Sequence, residues 1–179
     1  MVSARWCAAP ASDDDAAFVE PQPLGFGCPE TPADPAKHAA IDGTGWVAES
    51  PDDRPLTAVG QTFRMTMHHA NHPDGNYEMA NRIQVFEPPN AISWEPGYDA
   101  GDGSLRFGGW TWRYDLTPAG PSETKVTLTY DWSAVPGSLR EHIGIPPFPP
   151  DHLGNSPAHL ADLATSRQAR RPANRTACS

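Results

Sequence analysis

The chain has 179 residues, a net charge of -9 and a pI near 5.1. That length supports one buried core and is short for two. The negative field repels phosphate backbones and anionic headgroups, so nucleic acid and stable membrane association are not expected, whereas an apolar partner fits. No stretch approaches the roughly 20 apolar residues of a membrane span, and the opening residues lack the apolar core of a signal peptide. A cytoplasmic protein is expected. Cys7, Cys28 and Cys178 form no C-x-x-C pair and read as inert thiols.

Residues 1–33 carry Asp13-Asp14-Asp15 and scattered prolines with no sustained period, and are expected to be an irregular, disordered segment. Asp34 to Ile41 reads as a short helix, with Asp34 as N-cap, Pro35 at the first helical position and Asp42-Gly43 as the stop. From Trp46 the text turns to short alternating runs rich in β-branched and aromatic residues. These predict antiparallel strands over 45–50, 60–70, 76–87, 91–97, 105–117 and 123–134. Short turns such as Asn71 to Gly75 and Glu87 to Asn90 join them, which predicts a meander.

Alternation assigns the faces. Phe63, Met65, Met67 and His69 share one side; so do Tyr77, Met79, Asn81, Ile83 and Val85 on the next strand. Trp110, Trp112, Tyr114 and Leu116, then Val126, Leu128, Tyr130 and Trp132, continue the apolar face. Arg64, Glu78, Arg82, Arg113 and Asp115 fall on the wet face as cross-strand charge partners without chemistry. A sheet with one dry face needs a cover, and Asp151 to Ala164, with Leu153, Leu160 and Leu163, supplies a helix for it. Residues 166–179 read as a basic, disordered tail.

Several segments together resemble the START-related, polyketide cyclase-like helix-grip superfamily, often labelled SRPBCC. The resemblance runs through Asp34-Pro-Ala-Lys-His-Ala-Ala-Ile-Asp-Gly-Thr-Gly45, Val59-Gly-Gln-Thr-Phe-Arg64 and Arg82-Ile-Gln-Val-Phe-Glu-Pro-Pro-Asn-Ala-Ile-Ser-Trp94. It continues through Trp112-Arg-Tyr-Asp-Leu-Thr-Pro118, Val126-Thr-Leu-Thr-Tyr-Asp-Trp-Ser133 and Asn155-Ser-Pro-Ala-His-Leu-Ala-Asp-Leu163, and covers about residues 34–165. The resemblance implies an α+β helix-grip fold: a curved antiparallel sheet wrapped around a C-terminal helix, enclosing a cavity for lipids, polyketides or hormones. Members include carriers, sensors, aromatase/cyclases and stress-related regulators, so the fold alone does not fix the function.

Two features depart from the family pattern. The family's opening strand and helix are not recognisable before Asp34, since Ala9-Pro10 lies too far away. Pro157 falls inside the segment where the family runs an unbroken helix. An interior proline costs about 3 kcal/mol, a cost avoided if Ser156 caps a shorter helix starting at Pro157, with a more open cavity.

Long polarizable and aromatic side chains gather on the dry face, where they could form either a solid core or the wall of a pocket. With the family's cavity, Met65, Met67, His69, Met79, Asn81, Trp112, Tyr114, Tyr130 and Trp132 are expected to line a ligand pocket. The first functional reading is binding, carriage or sensing of a small apolar molecule. The alternative is an aromatase/cyclase acting on a polyketide-like substrate, with His69 and Tyr130 moving protons. A third is a regulatory or co-chaperone-like member that works through its surface. The His68-His69-x-x-His72 cluster is not a metal site on this reading, because adjacent strand residues point to opposite faces and no carboxylate completes the set. No metal and no cofactor are expected. Ser133 and Ser138 lack nucleophile-elbow glycines.

Overall fold

A curled antiparallel sheet and a long C-terminal helix make up most of the protein. The structure is a computed structural model and describes residues 16–18, 22–25, 31–70, 72–120, 123–149 and 151–170. The strands are β1 (Ala16–Phe18), β2 (Gln22–Gly25), β3 (Val47–Glu49), β4 (Thr62–His68), β5 (Asn76–Glu87), β6 (Ala91–Asp99), β7 (Leu105–Phe107), β8 (Thr111–Gly120) and β9 (Glu123–Asp131). The helices are α1 (His38–Ile41), α2 (Gly137–Ile143) and α3 (Asp151–Arg170). The sheet order is β1-β9-β8-β6-β5-β4-β3, with β2 also on β9 and β7 on β6. From β3 onward this is the predicted meander.

Within the segment read as irregular, Ala16–Phe18 and Gln22–Gly25 are strands, both antiparallel to β9. They lie beside the last strand of the sheet, so the β9 backbone groups that would have formed an open edge are paired. The prolines and acidic residues around them hide the short runs from any test of periodicity. The rest of 1–30 lies outside the described residues.

The predicted strand over 105–117 is two strands. Gly109 sits at φ 88°, and a Cβ on Gly108 would overlap the Trp110 ring. This kink hands the chain from β7, which pairs with the far end of β6, to β8, which pairs with its near end and with β9. On the outer face Arg64 approaches Glu78 at 4.0 Å and Arg82 meets Glu95 at 2.8 Å, both across strands. Arg113 instead holds Asp115 of its own strand at 2.7 Å, so that pair is not cross-strand as expected.

At the amino-terminal side of α1, Asp34 caps a turn of 3-10 helix over Pro35–Lys37, its carboxylate accepting from the Ala36 amide at 3.2 Å. α2 was not expected. It carries no buried residue and so no apolar stripe, and Gly144 at φ 70° ends it.

α3 starts at Asp151, where the covering helix was read, passes through Pro157 without the later start that would have avoided the proline, and runs to Arg170, into the stretch read as a tail. Leu153, Pro157, Leu160 and Ala164 are buried at i, i+4, i+7 and i+11 spacing, so the proline is one element of the apolar stripe. Its missing N–H leaves the Leu153 carbonyl without its helical donor. The ring itself is fully buried. Residues 171–179 lie outside the described residues.

Phe63, Ile83, Ile92, Leu116, Val126 and Leu128 of the sheet join Leu153, Leu160 and Ala164 of α3 in one buried cluster. Beside it, the sheet and the start of α3 leave a cavity.

Candidate functional site

The cavity has a volume of about 780 Å³ and opens between the inner face of β4, β5, β6, β8 and β9, the start of α3, the α1–β3 loop and the segment from α2 to Phe148. Its walls follow from the period of two: side chains two apart on a strand share a face, and the register stacks them across strands. Met65 faces Met79 and Met67 faces Tyr77 between β4 and β5. Trp94, Trp112 and Tyr130 form a row across β6, β8 and β9.

Of the residues singled out in the sequence, Met65, Met67, His69, Met79, Asn81, Trp112, Tyr114 and Tyr130 line this space. Trp132 does not. It is 6% exposed and packs against Tyr130, with ring centroids 5.5 Å apart, inside the core. Alternation placed it on the correct face but could not tell wall from filling. Several lining residues come from outside the sheet and were missed: His38 and Ile41 from α1, Trp46 from the following loop, Ile145 and Phe148 from the proline-rich segment, and Ser156 from α3. Phe148 stands over Trp112 and Tyr130 at centroid distances of 5.4 and 5.0 Å. An isolated phenylalanine among prolines was the one signal available for that part of the roof.

The α1–β3 loop is held by a single carboxylate. Asp42 accepts from the amides of Thr44, Trp46 and Val47 and from the Thr44 hydroxyl, at 2.7 to 3.0 Å. Its role is therefore to shape the loop that carries Trp46. Across from it, α3 grips the same loop: the His152 and Asn155 side chains donate to the Gly43 carbonyl, and His159 donates to that of Asp42.

Four polar groups punctuate the apolar wall. His38 is 3% exposed, and its Nε2 lies 2.8 Å from the Pro32 carbonyl. A carbonyl only accepts, so Nε2 carries the proton and Nδ1 keeps its lone pair. Burial lowers the pKa of the ring to about 4, against smaller opposing effects of the Pro32 bond and of Asp34 and Asp42, so it is neutral at pH 7. Tyr130 is 3% exposed, and burial drives its pKa well above the ordinary tyrosine value. Every fully buried side-chain nitrogen and oxygen among the described residues has a hydrogen-bond partner. The Tyr130 hydroxyl makes no such bond among them and opens on the cavity. Tyr114 is also raised by burial, partly countered by its hydrogen bond to the Ser156 hydroxyl. Asn81 is buried, its Nδ2 only 3.5 Å from the Met79 carbonyl.

The mouth carries imidazoles. His69 lies edge-on to Trp46 at 4.5 Å, and His72 stacks on Tyr77 at 4.6 Å. His68 points away, its Nδ1 2.9 Å from the Asn76 side-chain oxygen. Among the described residues no group of three or more His, Cys, Asp or Glu is placed to hold a metal ion. No described helix is long and apolar enough to cross a membrane.

No model of a known protein family matches the chain. Over 102 residues it is 26% identical to the uncharacterized protein Rv0088 of Mycobacterium tuberculosis, a match covering 57% of this chain and 40% of that protein. The chain therefore spans less than half the length of this curated relative. Among solved structures, protein Ms6760 of Mycobacterium smegmatis is similar with a TM-score of 0.56 at 16% identity, covering 93% of this chain and 98% of that one. A norcoclaurine synthase point mutant of Thalictrum, in complex with a transition-state analogue, gives a TM-score of 0.58 at 11% identity, over 94% of this chain and 99% of that one. The fold is the helix-grip, Bet v1-like fold. At these identities the likeness is one of fold. A protein of Rhodobacter sphaeroides is similar in the same way, with a TM-score of 0.57 at 15% identity over 92% of this chain and 99% of that one.

Proposed function

We propose that this helix-grip chain binds a small, largely apolar molecule in its internal cavity, as a cytoplasmic carrier or sensor related to the START-like, SRPBCC superfamily. The observation that carries this reading is the cavity of about 780 Å³, walled by methionines and aromatic rings with a few separate polar atoms. Small-molecule sites have that size and that mixture, apolar contact giving affinity and a few polar groups fixing orientation. Met65, Met67, His69, Met79, Asn81, Trp112, Tyr114 and Tyr130 are the proposed contacts. The flexible methionine thioethers suit a ligand of irregular outline. Native mass spectrometry of the gently extracted protein tests the reading. A co-purifying small molecule is expected. An empty protein whose melting temperature no lipid or polyketide shifts contradicts it.

The enzymatic alternative has one specific support: a protonated Tyr130 hydroxyl that makes no hydrogen bond among the described residues, in the same cavity as the His69 imidazole. An aromatase/cyclase would use the first to polarise a ketone and the second to move a proton, the dry walls holding the chain folded. The norcoclaurine synthase structure, with its transition-state analogue, illustrates that this fold carries enzymes. Cyclisation of a poly-keto thioester, lost in both His69→Ala and Tyr130→Phe, would favour this reading. An open cavity weighs against a role confined to the surface.

A further inference from the structure

The cavity wall contains no lysine or arginine among the described residues, while Asp42 lies on it and the chain carries a net charge of -9. A carboxylate or phosphate buried against the deep wall would meet no ammonium or guanidinium group, and a desolvated unpaired anion is strongly disfavoured. Two of the polar groups on that wall differ in kind. Tyr130 presents a hydroxyl that makes no hydrogen bond among the described residues. His38 has its Nε2 proton committed to Pro32, so Nδ1 can only accept.

Between these two groups runs a floor of flat rings. Trp112 pairs with Tyr130 across β8 and β9 and with Trp94 across β8 and β6. The His38 ring lies 5.0 Å from Trp94 and 5.1 Å from Phe63, beyond the other end of that row. Tyr130 and His38 are thus two to three strand spacings apart, a separation on the order of 10 Å.

We propose that the cavity selects an uncharged, flat molecule that carries a hydrogen-bond acceptor at the Tyr130 end and a hydroxyl donor at the His38 end: an aromatic or polycyclic hydroxy-ketone laid along the Trp112–Trp94 floor. The assignment rests on the binding reading above and narrows it to a chemical class. A fatty acid has the wrong charge for the deep wall, and a plain hydrocarbon would leave the Tyr130 hydroxyl and His38 Nδ1 without a partner.

Four naphthalene probes separate the terms: one with an acetyl group and a hydroxyl at opposite ends, the acetyl compound alone, the naphthol alone, and the hydroxynaphthoate anion. Fluorescence titration of the full chain is expected to rank the hydroxy-ketone first, with about 10-fold loss on removing either polar group and no measurable binding of the anion. Tyr130→Phe is expected to weaken the two ketones about 10-fold and to leave the naphthol unchanged. His38→Phe is expected to do the reverse. Should His38→Phe fail to fold, the four-probe ranking on the wild-type chain carries the test.

Equal binding of all four probes, indifferent to the Tyr130 substitution, overturns the assignment while leaving cavity binding intact. Tight binding of the anion overturns it in the same way. If no probe binds, the assignment also falls, and the native mass spectrum decides independently whether the binding reading falls with it.

Discussion

The Gly43 amide donates to the Ser156 hydroxyl at 2.8 Å, joining the α1–β3 loop to the second turn of α3 across 113 residues of sequence. The approach is so close that a Cβ on Gly43 would lie 2.3 Å from the His152 carbonyl oxygen and 2.7 Å from the Ser156 amide nitrogen. Both are backbone atoms of a helix and cannot swing aside. Gly43→Ala is expected to cost about 1–3 kcal/mol, read as a lower urea midpoint with an unchanged slope. Ser156→Ala removes the hydroxyl that serves both Gly43 and Tyr114, and a similar loss of about 1–3 kcal/mol is expected without any clash.

His38 makes stability depend on pH. Its folded pKa of about 4 lies below the ordinary 6.5, so the unfolded chain takes up a proton that the folded chain refuses. The ring's contribution is therefore complete above pH 6.5 and is lost as the pH falls towards 4. The loss between pH 8 and pH 4 is on the order of 3 kcal/mol. Urea midpoints across that range are expected to fall less steeply in His38→Gln, which does not titrate. A slope identical to that of the wild-type chain would mean that the ring is solvated.

Gly109 marks the corner at which the chain passes from β7 to β8. Its φ of 88° is a left-handed conformation, and an added Cβ would sit 2.6 Å from the Ala134 carbonyl oxygen. Gly109→Ala is expected to lower stability by about 2 kcal/mol or more, measured by thermal melting. Because Trp110 follows this corner and lines the cavity, quenching of tryptophan emission by acrylamide should rise in the same variant.

The sheet was readable because each long strand buries one face, and burial writes itself as alternation: Phe63 and Met65 are buried while Thr62 and Arg64 are exposed. The gripping helix was readable from Leu153 and Leu160. Its length was not, because Pro157 reads as a helix start wherever tertiary burial is unknown. The strands at 16–18 and 22–25 are too short to show a period, and the break at Gly108-Gly109 depends on the Trp110 ring, a contact no local pattern records. The same distinction divides the site. Strand residues such as Met79 and Tyr130 followed from their face, whereas His38, Trp46 and Phe148 reach the cavity from loops and a helix whose packing is set by tertiary contacts.

If the interior is a binding space, filling it removes the binding. Met67 and Met79 line the cavity on adjacent strands. Met67→Trp combined with Met79→Trp places two indoles in open space, so the fold should persist by circular dichroism and melting. Titration with Nile red, an uncharged apolar dye, is the measurement. Saturable binding by the wild-type chain and at least a 10-fold weakening in the double variant are expected. Equal binding by a folded double variant would place the dye elsewhere and contradict the cavity as the site.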